Sequence, residues 1–441
     1  MSNAVIGAIV FLVMLIMIFV GIPVWLSMFS CSIVGLFLVS GESMMLNQMT
    51  SGPYVTSASY SYAVLPLFML VGTLAGSTGI AEGAYSSMKK WLGGIRGGLL
   101  YATIAANAIF GACAGIGTAG TAVFGKIALP ELERAGYEKK LSMGTITASS
   151  ALSGLIPPSI TIIMFCIIIS DLSIGTALMC GLGAGLVTTL AMFITVKVIT
   201  IVSPAKVPVV REEDKHIPIK EKLSTLKLLV PIVLLFGLII GGSFYGWFSP
   251  TVGGAVASMV IVIYALAKRI KVKDILNSFW EGAVMNGGIF LIIIGGTLFS
   301  RFISLSGLAS AFSDLITSLN INRYLFFMIV FLFYIICGCI MDIISCVIIT
   351  VPILFPPLEA MGFDPYMLCI TLVFVAAIAS ITPPIGMTVF VAANVMDAPA
   401  MDIFQGVVPY FFCECAVVVL MMFFPGICTY MPTLMTMLGG G

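Results

Sequence analysis

Two distant stretches of this chain bring hydroxyl groups, small residues and paired prolines together inside long apolar runs. The first combines "GACAGIGTAGTA", residues 111–122, with "ASSALSGLIPPS", residues 148–159. The second combines "CGCIMDIIS", residues 337–345, with "AIASITPPIG", residues 377–386. Paired prolines break the helical hydrogen-bond ladder, and a broken helix presents bare carbonyls and half-helix ends within an apolar environment. Neutral hard oxygens suit an alkali cation, and the amino-terminal end of a half-helix suits an anion. The first candidate cation site is therefore Gly115, Thr118, Ser149, Ser150 and Ser153. The second is Gly338, Asp342, Ala379, Thr382 and Gly386, where Asp342 adds a carboxylate that costs about 2.5–3.5 kcal/mol at midmembrane depth unless paired, wet or functional. Pro157 and Pro383 set half-helix ends toward a substrate. Arg301, in "GGTLFSRFISLSG", either snorkels to the interface or binds a carboxylate or sulfonate bidentately.

Such groups need elements that hold them at depth in a bilayer. The 441 residues are 60% apolar and only 9% charged, with a mean hydropathy of +1.18, which excludes a soluble protein. Continuous apolar runs such as "VIGAIVFLVMLIMIF" lack the two-residue alternation of a barrel strand, so the fold class is an all-α polytopic membrane protein. The net charge of +1 hides an asymmetry: only Arg301 and Arg323, of 20 Lys and Arg residues, follow Asp274. No nucleic-acid-binding patch results. The 11 cysteines show no CxxC spacing and read as packing residues. His216, the one histidine, sits in a charged loop and carries no expected role. With no midmembrane histidine, no HExxH and no GxSxG, the chain is not expected to be an enzyme.

Basic clusters between the runs set the topology through the positive-inside rule. Apolar runs near 4–20, 21–39 and 63–80 lead to a basic "SSMKKWLGGIRGG", which places the amino terminus outside. Residues 99–133 have basic flanks on both sides, so they read as a re-entrant hairpin of two half-length helices meeting at a glycine-rich tip. Residues 141–170 form a proline-broken helix. Crossings near 174–200, 228–242, 250–267, 283–304 and 404–425, a second hairpin at 324–356 and a second broken helix at 365–396 give about ten crossings and two hairpins, with both termini outside. The corresponding units are 1–62, 63–202, 203–282 and 283–441.

An internal repeat in one constant register ties the halves together. It pairs "IALPELERAGY" with "ILFPPLEAMGF", Pro157 and Pro158 with Pro383 and Pro384, and Asp171 with Asp397. The first copy's loop, "ERAGYEKK", is basic, while the second's, "LEAMGFDPY", has no Lys or Arg. The copies are expected to be inverted, an arrangement that points to a secondary transporter with its site near the bilayer midplane.

On the "GLIPPS" and "TPPIG" elements, the "MD" followed by "VPILFP", the length and the inverted halves, the chain resembles the large membrane subunit of tripartite ATP-independent periplasmic (TRAP) transporters over nearly its whole length. The resemblance implies an elevator-type, sodium-coupled importer of organic acids in the bacterial inner membrane. It also implies two sodium sites, one for each hairpin and broken-helix pair, with sodium as the coupling ion and no other cofactor. The implied partners are a small four-helix membrane subunit and a periplasmic substrate-binding protein. The alternative reading is a stand-alone sodium/dicarboxylate symporter of related architecture.

Overall fold

The computed structural model describes residues 2–210, 217–244, 247–319 and 321–439, and every regular element among them is helical. His216 lies outside the described residues. Seven helices are long and apolar enough to cross a membrane, or up to eight if the bent pair Ile219–Leu228 and Val230–Gly242 forms one span. One of the seven, Ile343–Ala360, is the return arm of the second hairpin, and the remaining expected crossings are built from shorter helices.

The repeat is visible in the element boundaries. The return arms of the hairpins begin at Gly117 and Ile343, the broken helices at Lys139 and Pro365, and the helices after them at Ile174 and Ala400, each pair in the register that matches Pro157 to Pro383. Gly136 and Gly362, in the same register, both take the left-handed backbone conformation, with φ 86° and 82°. There the chain turns from hairpin to broken helix, and a side chain would be strained.

Two contacts establish the inversion. Lys140 Nζ, at the start of the first broken helix, lies 2.9 Å from Asp402 Oδ1, just beyond the end of the second. At the other end, Ser173 N, just beyond the first broken helix, donates to Tyr366 Oη at the start of the second, at 3.2 Å. The two broken helices thus run antiparallel. Their packing is reciprocal as well: Ile343–Ala360 packs on the second half of the first broken helix, and Gly117–Arg134 on the second half of the second.

Basic residues gather at one end of the molecule. Lys89 pairs with Glu131, Lys90 with Glu221 at 2.6 Å, Lys139 with Glu133 at 3.2 Å and Lys206 with Glu138 at 2.9 Å. Arg96 donates to the carbonyls of Pro204 and Val207. Exposed pairs of this kind contribute about 0–1 kcal/mol each, so they identify this end more than they hold it together.

The structure departs from the sequence reading in four places. The first hairpin's arms, Gly98–Ala114 and Gly117–Arg134, contain 17 and 18 residues rather than half a span, or about 26 Å each at 1.5 Å per residue. The polar stretch after residue 39 is helical: Val24–Ser57 continues through a break at Gly41, whose φ is 83°. The long helix Val272–Ser306 starts before residue 283, because its polar first turns extend beyond the apolar run. Finally, Gly426–Gly439 adds a helix beyond the last expected crossing, and its Ile427 carbonyl packs close to Gly183.

Candidate functional site

Each hairpin tip is fastened to the joint of the broken helix in its own half. Ile160 N donates to the Gly115 carbonyl at 3.4 Å, and Gly386 N, the repeat counterpart of Ile160, donates to the Cys339 carbonyl at 2.8 Å. Gly115 and Gly386 both have positive φ, 65° and 60°; a Cβ on Gly115 would fall 2.4 Å from the Pro158 carbonyl, and one on Gly386 2.9 Å from the Phe404 ring and 3.0 Å from the Thr382 carbonyl. Glycine suits both positions through its left-handed backbone and its lack of a Cβ.

A cavity of about 400 Å³ lies between the tips, the joints and the helix Val272–Ser306. Four helices begin on its wall, at Gly117, Ile160, Ile343 and Met387. Each amino terminus carries about half a positive charge. Among the described lining residues the only charged side chain is Asp342, with Thr118, Thr161, Ser380 and Thr388 supplying hydroxyls. The remaining wall is largely apolar, including Trp25, Met69, Met285, Ile289 and Ile292. An apolar pocket with four converging helix dipoles favours a small organic anion over a free cation.

The first set of candidate residues lies against this wall. Asn107, which the sequence reading missed, donates through Nδ2 to the Ile146 carbonyl at 3.2 Å and to Ser149 Oγ at 2.8 Å. Its Oδ1 is buried and has no partner among the described residues, and the same is true of Ser153 Oγ. Ser150 Oγ donates to the Thr147 carbonyl at 2.7 Å. A Cβ on Gly120 would overlap Asn107 Oδ1, and one on Gly111 would lie 2.9 Å from Ser153 Oγ. Glycines in the hairpin arms thus keep two unpartnered oxygens clear. An unpartnered buried oxygen costs about 1–3 kcal/mol, a cost that a bound cation would remove. The lone carboxamide inside the apolar run "TIAANAIFGACA" was the available signal. Gly115 and Thr118 line the cavity, while Ser149, Ser150 and Ser153 lie behind it, fully buried or nearly so.

In the second set, Asp342 caps the return arm of its hairpin. Oδ2 accepts from Ser345 N at 3.0 Å, and Oδ1 accepts from Ser345 Oγ. Its carboxylate therefore fixes the hairpin tip and also faces the cavity. Gly338 packs against Ala379, where a Cβ would fall 2.6 Å from that methyl. Thr382 Oγ1 donates to the Ile378 carbonyl at 2.7 Å. Ser380 Oγ and Thr388 Oγ1, also missed, lie 2.9 Å apart across the joint and line the cavity.

Three residues read as substrate-binding lie elsewhere. Pro157 is buried behind the wall, Pro383 is exposed and outside the lining, and Arg301 lines a separate cavity of about 300 Å³. Along Val272–Ser306, Arg301 stands beyond Ile292 of the central lining, about 13 Å further on the helix axis. A third cavity, about 480 Å³ and bordered by Glu281, shares Met69, Ile116, Thr118 and Met285 with the central one. The central cavity therefore continues toward the basic end.

Among solved structures, the chain resembles the crystal structure of the Alcanivorax borkumensis YdaH transporter, with a TM-score of 0.57 and 12% identity over 87% of this chain and 90% of that one. That likeness bears on the fold alone. Curated relatives include the ectoine TRAP transporter large permease protein of Halomonas elongata, 28% identical over 93% of this chain and 95% of the relative. The C4-dicarboxylate TRAP transporter large permease protein of Pseudomonas aeruginosa is 26% identical over 86% and 88%, and the sialic acid TRAP transporter large permease protein of Vibrio cholerae is 25% identical over 95% and 96%. Residues 11–427 match the family described as the tripartite ATP-independent periplasmic transporter, DctM component. With fastened hairpins, broken helices and a dipole-lined cavity along nearly the whole of that match, this chain belongs to the TRAP transporter large permease family and is a multi-pass membrane transport protein, not an enzyme.

Proposed function

We propose that this chain is the sodium-coupled carrier subunit of an importer of a small organic anion, a carboxylate or sulfonate, in a bacterial inner membrane with its basic end cytoplasmic. The observation that carries this reading is the convergence of the four helix amino termini, at Gly117, Ile160, Ile343 and Met387, on one mostly apolar cavity. They are placed to hold an anion without a basic side chain, while the unpartnered oxygens of Asn107 and Ser153 behind the wall suit a sodium ion. Gly115, Thr118, Ser149 and Ser150 complete the first sodium set, and Gly338, Asp342, Ala379, Thr382 and Gly386 form the second.

The hairpins and broken helices move together as an elevator against Val272–Ser306 and its neighbours. The space bordered by Glu281 is the cytoplasmic opening of the cavity. A small four-helix membrane subunit supports the fixed helices, and a periplasmic binding protein delivers the anion. Two sodium ions with one monoanion move one net positive charge inward, to which the membrane potential contributes about 2.3 kcal/mol per 100 mV.

The test is uptake into proteoliposomes containing both membrane subunits and the binding protein. A four-carbon dicarboxylate, a sialic acid and ectoine are offered under an inward sodium gradient, with and without an inside-negative potential. At least one compound should accumulate with sodium and faster with the potential. Uptake equally fast with potassium replacing sodium refutes the coupling.

A further inference from the structure

The cavity around Arg301 lies outside the site described above, at the end remote from the basic loops. From Val272 to Arg301 the helix rises about 43 Å along its axis, whereas Lys268, Arg269, Lys271 and Lys273 mark the other end. Thr297, Ser300, Arg301 and Ser304 follow the i, i+3, i+4, i+7 spacing of one helix face, and all four line the cavity. Arg301 is exposed, and the side chains of Ser300, Arg301 and Ser304 have no hydrogen-bond or ion-pair partner among the described residues. No carboxylate is among the described lining residues.

The opposite wall comes from the repeats. It consists of Met164, Ile167 and Ile168 on the first broken helix and Ile348 and Pro352 on the second hairpin. This space lies next to the central cavity: Ile293 adjoins Ile292, and Ile348 is one turn beyond Ile344. The two spaces share no described lining residue, whereas the central cavity shares Met69, Ile116, Thr118 and Met285 with the one toward the basic end. A solvated guanidinium and two free hydroxyls thus face an apolar wall supplied by the repeats.

We propose that the Arg301 cavity is an outer anion-capture site, where the carboxylate or sulfonate of the transported compound docks on Arg301, Ser300 and Ser304 before the hairpins open to admit it. This inference rests on the transport reading above. Arg301 is the one cation among the described lining residues, and its planar fork matches a carboxylate or sulfonate with two parallel hydrogen bonds. Ser300 and Ser304 flank it on the same face, one before and three after, with hydroxyls free to donate to the same group.

The test introduces Ser304→Cys as a reporter with Arg301, Arg301→Gln or Arg301→Lys beside it. Nine of the eleven native thiols are buried and Cys413 and Cys415 are half-buried, so the parent's labelling rate can be subtracted. Reaction rates are compared for a sulfonate-bearing and a trimethylammonium-bearing methanethiosulfonate. With Arg301 or Lys in place, the ratio should favour the sulfonate by about tenfold over the Gln variant. In the same proteoliposomes, Arg301→Gln on the native Ser304 background should raise the half-saturating concentration for inward uptake about tenfold with a maximal rate within about twofold, and Lys should restore part of it. An unchanged thiol ratio or unchanged uptake in Arg301→Gln overturns the proposal. So does a difference in ratio between Arg301 and the Gln variant that disappears when phosphatidylglycerol replaces phosphatidylcholine, because Arg301 then holds a lipid phosphate. If the wild type accumulates no organic acid, the transport reading fails by itself and the capture site, which needs a transported anion, falls with it whatever the thiol ratio shows.

Discussion

Gly120→Ala is the most direct perturbation of the first cation site, because it adds one methyl where the structure leaves space for an oxygen. The new Cβ would overlap Asn107 Oδ1 and come within 3.6 Å of Ser150 Cβ. Asn107 cannot withdraw freely, since its Nδ2 is held by the Ile146 carbonyl at 3.2 Å and by Ser149 Oγ at 2.8 Å. Each bond contributes a net of about 0.5–1.5 kcal/mol, so losing both costs about 1–3 kcal/mol. Alanine in place of glycine within a helix returns about 0.5–1 kcal/mol. In the absence of sodium, the variant should therefore be slightly to moderately less stable than the parent. The sodium-linked change is larger: an ion at 100 times its dissociation constant stabilises the folded state by about 2.7 kcal/mol, and the variant should lose that increment.

The assay is thermal unfolding of the purified protein in detergent, in sodium chloride and in potassium chloride at equal ionic strength. Gly237→Ala is the control, because a Cβ there meets nothing within 4 Å. It should keep the whole sodium increment. If Gly120→Ala also keeps it, Asn107 Oδ1 does not bind the ion and the first site as drawn is wrong.

Ser153→Ala removes a buried hydroxyl with no partner among the described residues, so it should leave stability in potassium unchanged or higher while weakening sodium binding about tenfold, a loss of about 1.4 kcal/mol readable by sodium titration of the melting temperature. Asp342→Asn keeps a good cap for Ile343–Ala360 and should hold stability within about 0.5 kcal/mol, yet raise the sodium concentration for half-maximal uptake; an unchanged value would limit the carboxylate to capping. Gly144 and Gly406 bring two backbones into contact, so alanine at either should lower stability by about 1–3 kcal/mol or prevent folding, as seen in the melting temperature and in monodispersity on size-exclusion chromatography. Glu414 is fully buried, and neither carboxylate oxygen has a partner among the described residues; Glu414→Leu should raise the melting temperature by removing a desolvation cost of about 1–3 kcal/mol.

The parts of the fold that the sequence revealed are those where the chain must depart from a regular helix. Pro157 and Pro158, Pro383 and Pro384, and the glycines 136 and 362 cannot be replaced by ordinary helix formers without moving a turn. Those are positions at which the two copies agree, and the helices that follow glycines 136 and 362 begin in register at Lys139 and Pro365. The same backbone breaks identified the site in outline but left its atoms undetermined. The tips explain why: the donors Ile160 and Gly386 keep the repeat register, but the carbonyls they bond, Gly115 in one half and Cys339 in the other, do not. Matching the first hairpin's tip to the second in that register would put Gly115 on Met341, past its geometric counterpart Cys339. Asn107 escaped notice for a related reason. Its significance depends on the return arm passing close enough at Gly120 to enclose Oδ1 while touching it with no donor, a relation between two helix faces that no spacing within either helix encodes. Arg301 is the converse case: the sequence offers it as an anion ligand, but only the packed structure puts it in a cavity that shares no described lining residue with the one between the hairpins. A broken ladder identifies where polar chemistry must occur, and the choice of oxygen is made by whichever neighbour fails to supply a donor.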